Sequence, residues 1–346
     1  MSLKILIRAP NHLGDCIMAL SMINETREAF PGSSVTVLVP EYLAELFEQN
    51  PAIDDILRIP RRYVHGLIGV VKIKEIIAGH HPDVGIILPP SFGAASAFKL
   101  AGVKERIGYI TDGRRLLLSR PLPLPTPLNA EHRSKVYFDL LRRASSVEMD
   151  YVRPKLFLNE SDDHRAAQLL DGFGICPDDD YVAVAFRAVA ESRRWRSERY
   201  AELASYLVEK HGLKVVLAGS EDDRQIGDEI AATIGSDDVA NLAGKTSLRE
   251  LAAIFSGARL FVGNDSGPAH LAASVGVPLV VLSGADDPSE TSPISNRQKL
   301  IYLDHLDCIS CVKNRCPLRG EMQMRCMNGI TLEMVISRAE EALRGE

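Results

Sequence analysis

The chain has 346 residues, 46% hydrophobic and 25% charged, with a formal net charge of −6. This is an ordinary globular composition, long enough for two domains, without the basic excess of a nucleic-acid binder. No apolar stretch approaches the roughly 18–20 residues of a membrane span. The opening "MSLKILIRAPN" runs into a strand pattern without the hydrophobic region and cleavage site of a secretory leader, so a cytoplasmic chain is expected.

In chain order, "KILIRA" reads as a buried strand with a basic end and "PNHLGD" as a turn. "DCIMALSMINETREAF" has helical spacing, and "SVTVLV" is a β-branched strand. "AELFEQ" predicts a short helix, "DDILRI" a strand, "LIGVVKIKEIIAG" a helix, "DVGIILP" a strand, "AASAFKLAG" a helix and "ERIGYI" a strand. "RPLPLPTPL" is too Pro-rich to be regular and predicts an extended loop. "HRSKVYFDLLRRASS" predicts a helix, and around "VEMDYVRPKLFLNESDD" the periodicity lapses, which places a domain boundary there. The alternation then restarts through "YVAVAF", "SERYAELASYLVEKHG", "LKVVLAGS", "EDDRQIGDEIAATIG", "VANLAG", "SLRELAAIFSGA", "RLFVGN", "PAHLAASVG" and "VPLVVLSG". It ends in the helix "TLEMVISRAEEALRG".

Apolar strands alternating with helices imply parallel sheets covered on both faces. The fold class expected is α/β, with domains at 1–155 and 156–330 and a C-terminal helix over 331–346. Both domains are doubly wound and Rossmann-like, and they face each other across a cleft. Ligands of such sheets bind outside the carboxyl ends of the strands. Two fold classes fit, a GT-B glycosyltransferase and a periplasmic-type binding protein; the missing leader disfavours the second.

Several motifs fall at strand ends. In "RAPNHLGDCIMAL", Asp15 stands where a helix begins, after Asn11 and Gly14. It reads either as a helix cap or as a general base able to take a proton from a sugar hydroxyl. In "NDSGPAH", Ser266 is a natural N-cap and Pro268 fits the first helical turn. Gly267 admits close approach to backbone amides suited to a diphosphate. Asp265 adjoins the turn, and His270 lies one turn inside, facing the same ligand or packed beneath it. "RAVAESRRWRSERY" holds Arg193 and Arg194 for phosphate recognition and Trp195 for packing. "LAGSEDDRQ" places Glu221, Asp222 and Asp223 where acids can hold ribose hydroxyls or simply begin a helix. Asp178, Asp179 and Asp180 suggest a D-x-D metal motif but precede a strand, at the wrong end of the sheet. Cys308, Cys311, Cys316 and Cys326, spaced C-x2-C-x4-C-x9-C, offer a structural zinc or iron–sulfur site or remain free thiols.

Taken together, "ILIRAPNHLGDCIMAL", "RRWRSERYAELA", "VVLAGSEDD" and "NDSGPAHLAASVGVP" resemble the family 9 glycosyltransferases over nearly the whole chain. These are the ADP-heptose:lipopolysaccharide heptosyltransferases, and the resemblance is nearest to the heptosyltransferase II branch. It implies a GT-B fold, an acceptor-binding first domain and a nucleotide-sugar-binding second domain. It also implies inverting transfer, without a metal or other required cofactor, from ADP-heptose to the inner core on Kdo-lipid A. The chain is then expected to be a monomer, peripheral to the cytoplasmic face of the inner membrane, with no nucleic-acid partner. By the same resemblance Asp15 falls on the general base. Asp265, Ser266, Gly267, Pro268 and His270 fall on the donor diphosphate and sugar site, Asp222 near the ribose acid, and Thr246 at the adenine. Two departures stand out. "FRA" replaces the usual Pro-Gly-Ala, and Arg193 stands where the family has a phosphate-binding Lys. They leave open another nucleotide sugar and glycolipid, or a non-catalytic nucleotide-sugar binder. Arg61, Arg62, Lys72, Lys74, Arg114, Arg115 and Arg120 are the basic candidates for a phosphorylated, Kdo-bearing acceptor.

Overall fold

The computed structural model describes residues 2–125, 131–176, 178–235 and 237–345. The chain divides into two units, Met1–Phe157 and Leu158–Glu346. In the first, six parallel strands form one sheet: β1 (Lys4–Arg8), β2 (Ser34–Pro40), β3 (Asp55–Ile59), β4 (Val84–Ile87), β5 (Glu105–Tyr109) and β6 (Arg120–Leu122). Their order is β3-β2-β1-β4-β5-β6. The second unit repeats the plan with β7 (Tyr181–Ala185), β8 (Lys214–Ala218), β9 (Val239–Asn241), β10 (Leu260–Asn264), β11 (Leu279–Ser283) and β12 (Gln298–Tyr302). Its order, β12-β11-β10-β7-β8-β9, is the same doubly wound arrangement.

The central strands are buried on both faces, so "KILIR" and "LFVGN" read as continuous apolar runs without alternation. Helices cover each sheet. In the first unit Leu6, Leu38, Ile59 and Ile87 meet Ile73, Ile77, Ala95 and Phe98 of helices Gly66–His80 and Phe92–Leu100. Helices Leu13–Ile23 and Arg133–Ser145 pack on each other. In the second unit Trp195 is the packing anchor. It is 2% exposed, donates its indole N–H to the Ile330 carbonyl at 2.9 Å and meets Tyr200 edge-on at 4.9 Å.

Three expectations need correction. "RPL" at 120–122 is β6, not loop: an edge strand tolerates Pro121 because its missing N–H faces no neighbour. Residues 123–125 form no regular element, as expected, and 126–128 lie outside the described residues. β12, the other unpredicted strand, is also an edge. Finally, where the periodicity lapses, helix Glu160–Asp171 forms on a capping box between Asn159 and Asp162. The buried Asp162 carboxylate then accepts from Arg165 at 2.6 Å and from Arg249. The Asp179 and Asp180 carboxylates are occupied by Lys214 at 2.8 Å and Arg259 at 2.7 Å.

Candidate active site

Both switch points, where strand order reverses, carry polar loops. In the first unit the loop after β1 is organised by Arg8, which sequence reading passed over as the end of a strand. Its buried guanidinium donates to the Ala9 carbonyl and, at 2.5 Å, to Asn11 Oδ1; burial lowers its pKa to about 10. Tyr42 donates to the Asn11 carbonyl at 3.0 Å. Helix Leu13–Ile23 then begins. Its N-cap is His12, without a side-chain cap bond, so Gly14 and Asp15 lie inside the first turn and Asp15 is not the cap. The Asp15 carboxylate is half-buried, with the Arg133 guanidinium 3.8 Å from Oδ1. Burial, and after it the Asp15 charge, hold the neighbouring Tyr137 phenol well above its ordinary pKa.

Among the basic candidates, Arg114 is 1% exposed and donates Nε to the Tyr109 carbonyl at 2.9 Å. Arg120 donates to the Ala144 carbonyl at 2.7 Å. Both guanidiniums are spent on backbone carbonyls. Arg61, Arg62 and Arg115 are exposed.

In the second unit four loops at the carboxyl end of the sheet are knit together. The Trp195 amide donates to Asn264 Oδ1 at 2.9 Å, and Arg187 Nε donates to Asp223 Oδ1 at 3.3 Å. Arg193 Nε lies 2.6 Å from Asp286 Oδ2, and Ser283 donates to Asp265 Oδ2 at 2.9 Å. Helix Gly267–Val275 begins behind Ser266 with Pro268 in its first turn. Ser266 holds the N-cap position, but its hydroxyl donates to the Asn264 carbonyl at 3.2 Å and caps nothing. The Ala269 and His270 amides turn back to the Ser266 carbonyl at 3.0 and 3.3 Å and Pro268 has no N–H, so Ser266 holds the cap position through its backbone and not through its side chain. Asn264 is fully buried, and its Nδ2 has no partner among the described residues, a donor awaiting an acceptor. His270 is 6% exposed and lies inside helix Gly267–Val275.

Arg193 and Arg194 separate in role. Arg194 donates to the Ala188 carbonyl at 2.7 Å and the Val189 carbonyl at 3.1 Å, holding its own loop. Arg193 instead pairs with Asp286, a buried residue that sequence reading missed. The segment 308–316 braces this pair from behind. Ser310 and Val312 donate their amides to the Gly284 and Ala285 carbonyls at 3.0 and 2.7 Å, and Ser192 donates to the Asn314 carbonyl at 3.2 Å.

For the Cys-rich segment the sequence leaves open a structural zinc or iron–sulfur site or free thiols. Cys308, Cys311, Cys316 and Cys326 are free thiols in the structure. Among the described residues no group of three or more His, Cys, Asp or Glu is placed to hold a metal ion, so the metal alternative finds no support.

Asp265, 3% exposed, is the most perturbed acid here: burial, and after it the Asp286 carboxylate, push it up to about 7. In the unfolded chain its proton leaves near the ordinary aspartate value, so between about pH 4 and 7 the folded state holds the extra proton and stability falls as pH rises. Asp265→Asn removes that loss. It should melt later than the parent at pH 8, by about 2–4 kcal/mol in stability, and nearly alongside it at pH 4. Thermal unfolding across that range measures the difference; a variant less stable at pH 8 contradicts it.

The loops after β8 and β9 also meet. Asp223 accepts from the Ser220 amide and hydroxyl at 2.9 and 2.6 Å, and Glu221 pairs with Arg224 at 2.6 Å. Asp222 is left exposed. Gly244 (φ +72°) donates to the Gly219 carbonyl at 3.0 Å, and a Cβ there would sit 2.6 Å from Glu221 Cα. Thr246, two residues on, is half-buried. Gly244→Ala should cost about 2–3 kcal/mol, from left-handed strain plus the clash, read from the denaturant midpoint; a cost under about 0.5 kcal/mol would mean the turns are not locked.

The model for glycosyltransferase family 9 (heptosyltransferase) matches residues 70–321. Lipopolysaccharide heptosyltransferase 2 of Escherichia coli is 28% identical over 320 residues, covering 87% of this chain and 88% of that one. The solved structure of E. coli ADP-heptose LPS heptosyltransferase II superposes with a TM-score of 0.82 at 25% identity, covering 99% of both chains. A family 9 glycosyl transferase from Veillonella parvula gives 0.87 at 22% identity, covering 100% of this chain and 99% of that one. The fold is that of these GT-B enzymes.

Proposed function

This chain belongs to glycosyltransferase family 9, and from that premise we propose that it transfers a heptose from ADP-heptose to the inner core of a lipopolysaccharide. The observation that carries the reading is the helix start at Ser266, uncapped by any side chain, next to buried Asp265, whose carboxyl feels the charges of Asp286 and Arg193. It answers to a diphosphate joined to a hydroxyl-rich sugar. The likeness to the E. coli heptosyltransferase 2 over most of both chains supports the choice of donor and acceptor.

In the reaction the acceptor O–H gives its proton to Asp15 as its oxygen bonds to the anomeric carbon. The bond from that carbon to the diphosphate oxygen breaks on the opposite face, and ADP leaves with the electron pair, inverting the centre. Arg193, Ser266, Gly267 and Pro268 receive the leaving diphosphate, Asp265 the sugar, Asp222 the ribose and Thr246 the adenine. His270 packs beneath the first helical turn. Fixed guanidinium charge and oriented amides stabilise the developing negative charge without reorganising, so turnover is proposed to need no added metal. The acceptor is lipid-borne, and the chain is proposed to work as a peripheral protein at the cytoplasmic face of the inner membrane.

A second reading, another nucleotide sugar, is favoured by Arg193, whose fork is bulkier than an ammonium. One experiment separates the two: nucleotide release from a panel of nucleotide sugars, with and without a truncated core acceptor. Acceptor-dependent release of ADP from ADP-heptose alone supports the proposal. Release from another donor supports the second reading, and donor binding without release marks a non-catalytic binder.

A further inference from the structure

The first unit carries an apolar edge that its own core does not use. Helix Gly66–His80 turns Gly69, Ile73 and Ile77 inward, which leaves Leu67, Ile68 and Val71 on the outer side of its first turns. They are 87%, 74% and 55% exposed. Phe92, 54% exposed, opens helix Phe92–Leu100 beside them. The two helix starts touch: a Cβ on Gly93 would lie 3.3 Å from Val70 Cγ2. A shallow depression of about 550 Å³ runs from Arg62 and Tyr63 to Leu67 and Ile68.

The rim is net positive, with the exposed Glu41 carboxylate accepting from the Arg61 amide at 2.8 Å. Arg61 and Arg62 are exposed, their guanidiniums lying 5.9 Å over the Tyr42 ring and 4.7 Å over the Tyr63 ring. Nearby Glu75 is neutralised by Lys72 at 3.0 Å. Large aliphatic and aromatic side chains bordered by guanidiniums form the composition of an interfacial anchor. The chain as a whole carries −6, so an anionic surface repels most of it and admits this positive edge. The edge is also at the right end of the sheet. Residues 61–68 follow β3, Phe92 follows β4 and Asp15 follows β1, and these strands are parallel.

We propose that the edge formed by Leu67, Ile68, Val71 and Phe92, with Arg61 and Arg62 on its rim, docks the protein on an anionic lipid bilayer. The proposal deepens the reading of a lipid-borne acceptor and rests on it for its purpose, since the apolar side chains enter the headgroup layer at the end of the sheet that holds Asp15.

The test is sedimentation of the full-length protein with phosphatidylglycerol-containing and with pure phosphatidylcholine vesicles, for the parent and the Leu67→Glu/Ile68→Glu variant. The parent should partition onto the anionic vesicles, less so at high salt, and the variant at least about tenfold less. Both should melt at the same temperature, because the substituted side chains are exposed. Transfer to a soluble, delipidated acceptor should be unchanged in the variant, and transfer to an acceptor embedded in anionic vesicles should fall by a similar factor. Equal vesicle binding by parent and variant overturns the proposal, as does a parent that binds no vesicles. It is equally overturned if the parent is a dimer that the variant dissolves, with vesicle binding unmoved. Absence of transfer to any acceptor instead overturns the heptosyl-transfer reading and leaves the vesicle result to stand by itself.

Discussion

Asp15→Asn is expected to lower acceptor-dependent ADP release about 10³-fold while leaving ADP-heptose affinity within about twofold. The variant keeps the shape and volume of the side chain and removes its basicity. The fold tolerates it, because Asp15 is not the cap of helix Leu13–Ile23. Its stabilising contribution comes from the helix dipole, from Arg133 at 3.8 Å and from the Tyr137 phenol; the Asn amide oxygen can still accept from that phenol, so the part lost is about 1 kcal/mol. Melting temperature should therefore barely move while turnover collapses, and calorimetric titration with donor checks that binding is intact. If turnover survives within about threefold, Asp15 is a helix-start charge and the base lies elsewhere.

The second large effect is at Arg193. Arg193→Ala should lower kcat about 10²–10³-fold, since the leaving diphosphate loses its fixed counter-charge, with a smaller change in KM. Arg193→Lys should recover most of that loss, because charge matters more here than the fork; an unrecovered loss means the bidentate geometry is what the donor reads. The partner gives an internal control. Asp286 is buried and lies 2.6 Å from Arg193 Nε. Asp286→Asn should release the guanidinium and also lower the pKa of Asp265, whose carboxyl the Asp286 charge helps push up. The kcat–pH profile of that variant should break at lower pH than the parent's. An unshifted profile would show that Asp265 does not report through turnover.

Much of this was legible from local pattern. Continuous apolar runs such as "KILIR" and "LFVGN" mark strands buried on both faces, and the helices between them force parallel pairing. That logic places Asp15, Arg193, Asp222 and "NDSGPAH" at strand ends before any coordinate is known. Of the four edge strands, β3 and β9 were legible and β6 and β12 were not. β6 and β12 face a neighbour on one side only, so their side chains are half-buried and carry a weaker apolar signal, and Pro121 argues against a strand that the edge permits. Helix Glu160–Asp171 was hidden because its inner face is small, Ala166 and Leu170 with the buried Asp162.

Partners distant in sequence were invisible for a different reason. Nothing near Asp15 announces Arg133 or Tyr137, and nothing near Arg193 announces Asp286; crossovers of the sheet bring them together. The same holds for Ser266 and Arg194. Each has the right residue type in the right place, yet its hydrogen bonds go to a neighbouring carbonyl, which only the folded loop decides.

The central claim is that a heptose moves from ADP to a core acceptor with inversion, using groups fixed in this chain. NMR of the glycolipid product tests it most directly, with EDTA-treated protein, ADP-heptose and a truncated inner-core acceptor. The account predicts one new heptosyl residue whose anomeric configuration is opposite to that of the donor, formed at the same rate with and without EDTA. Free heptose with an unchanged acceptor, or a product that keeps the donor's anomeric configuration, would contradict it.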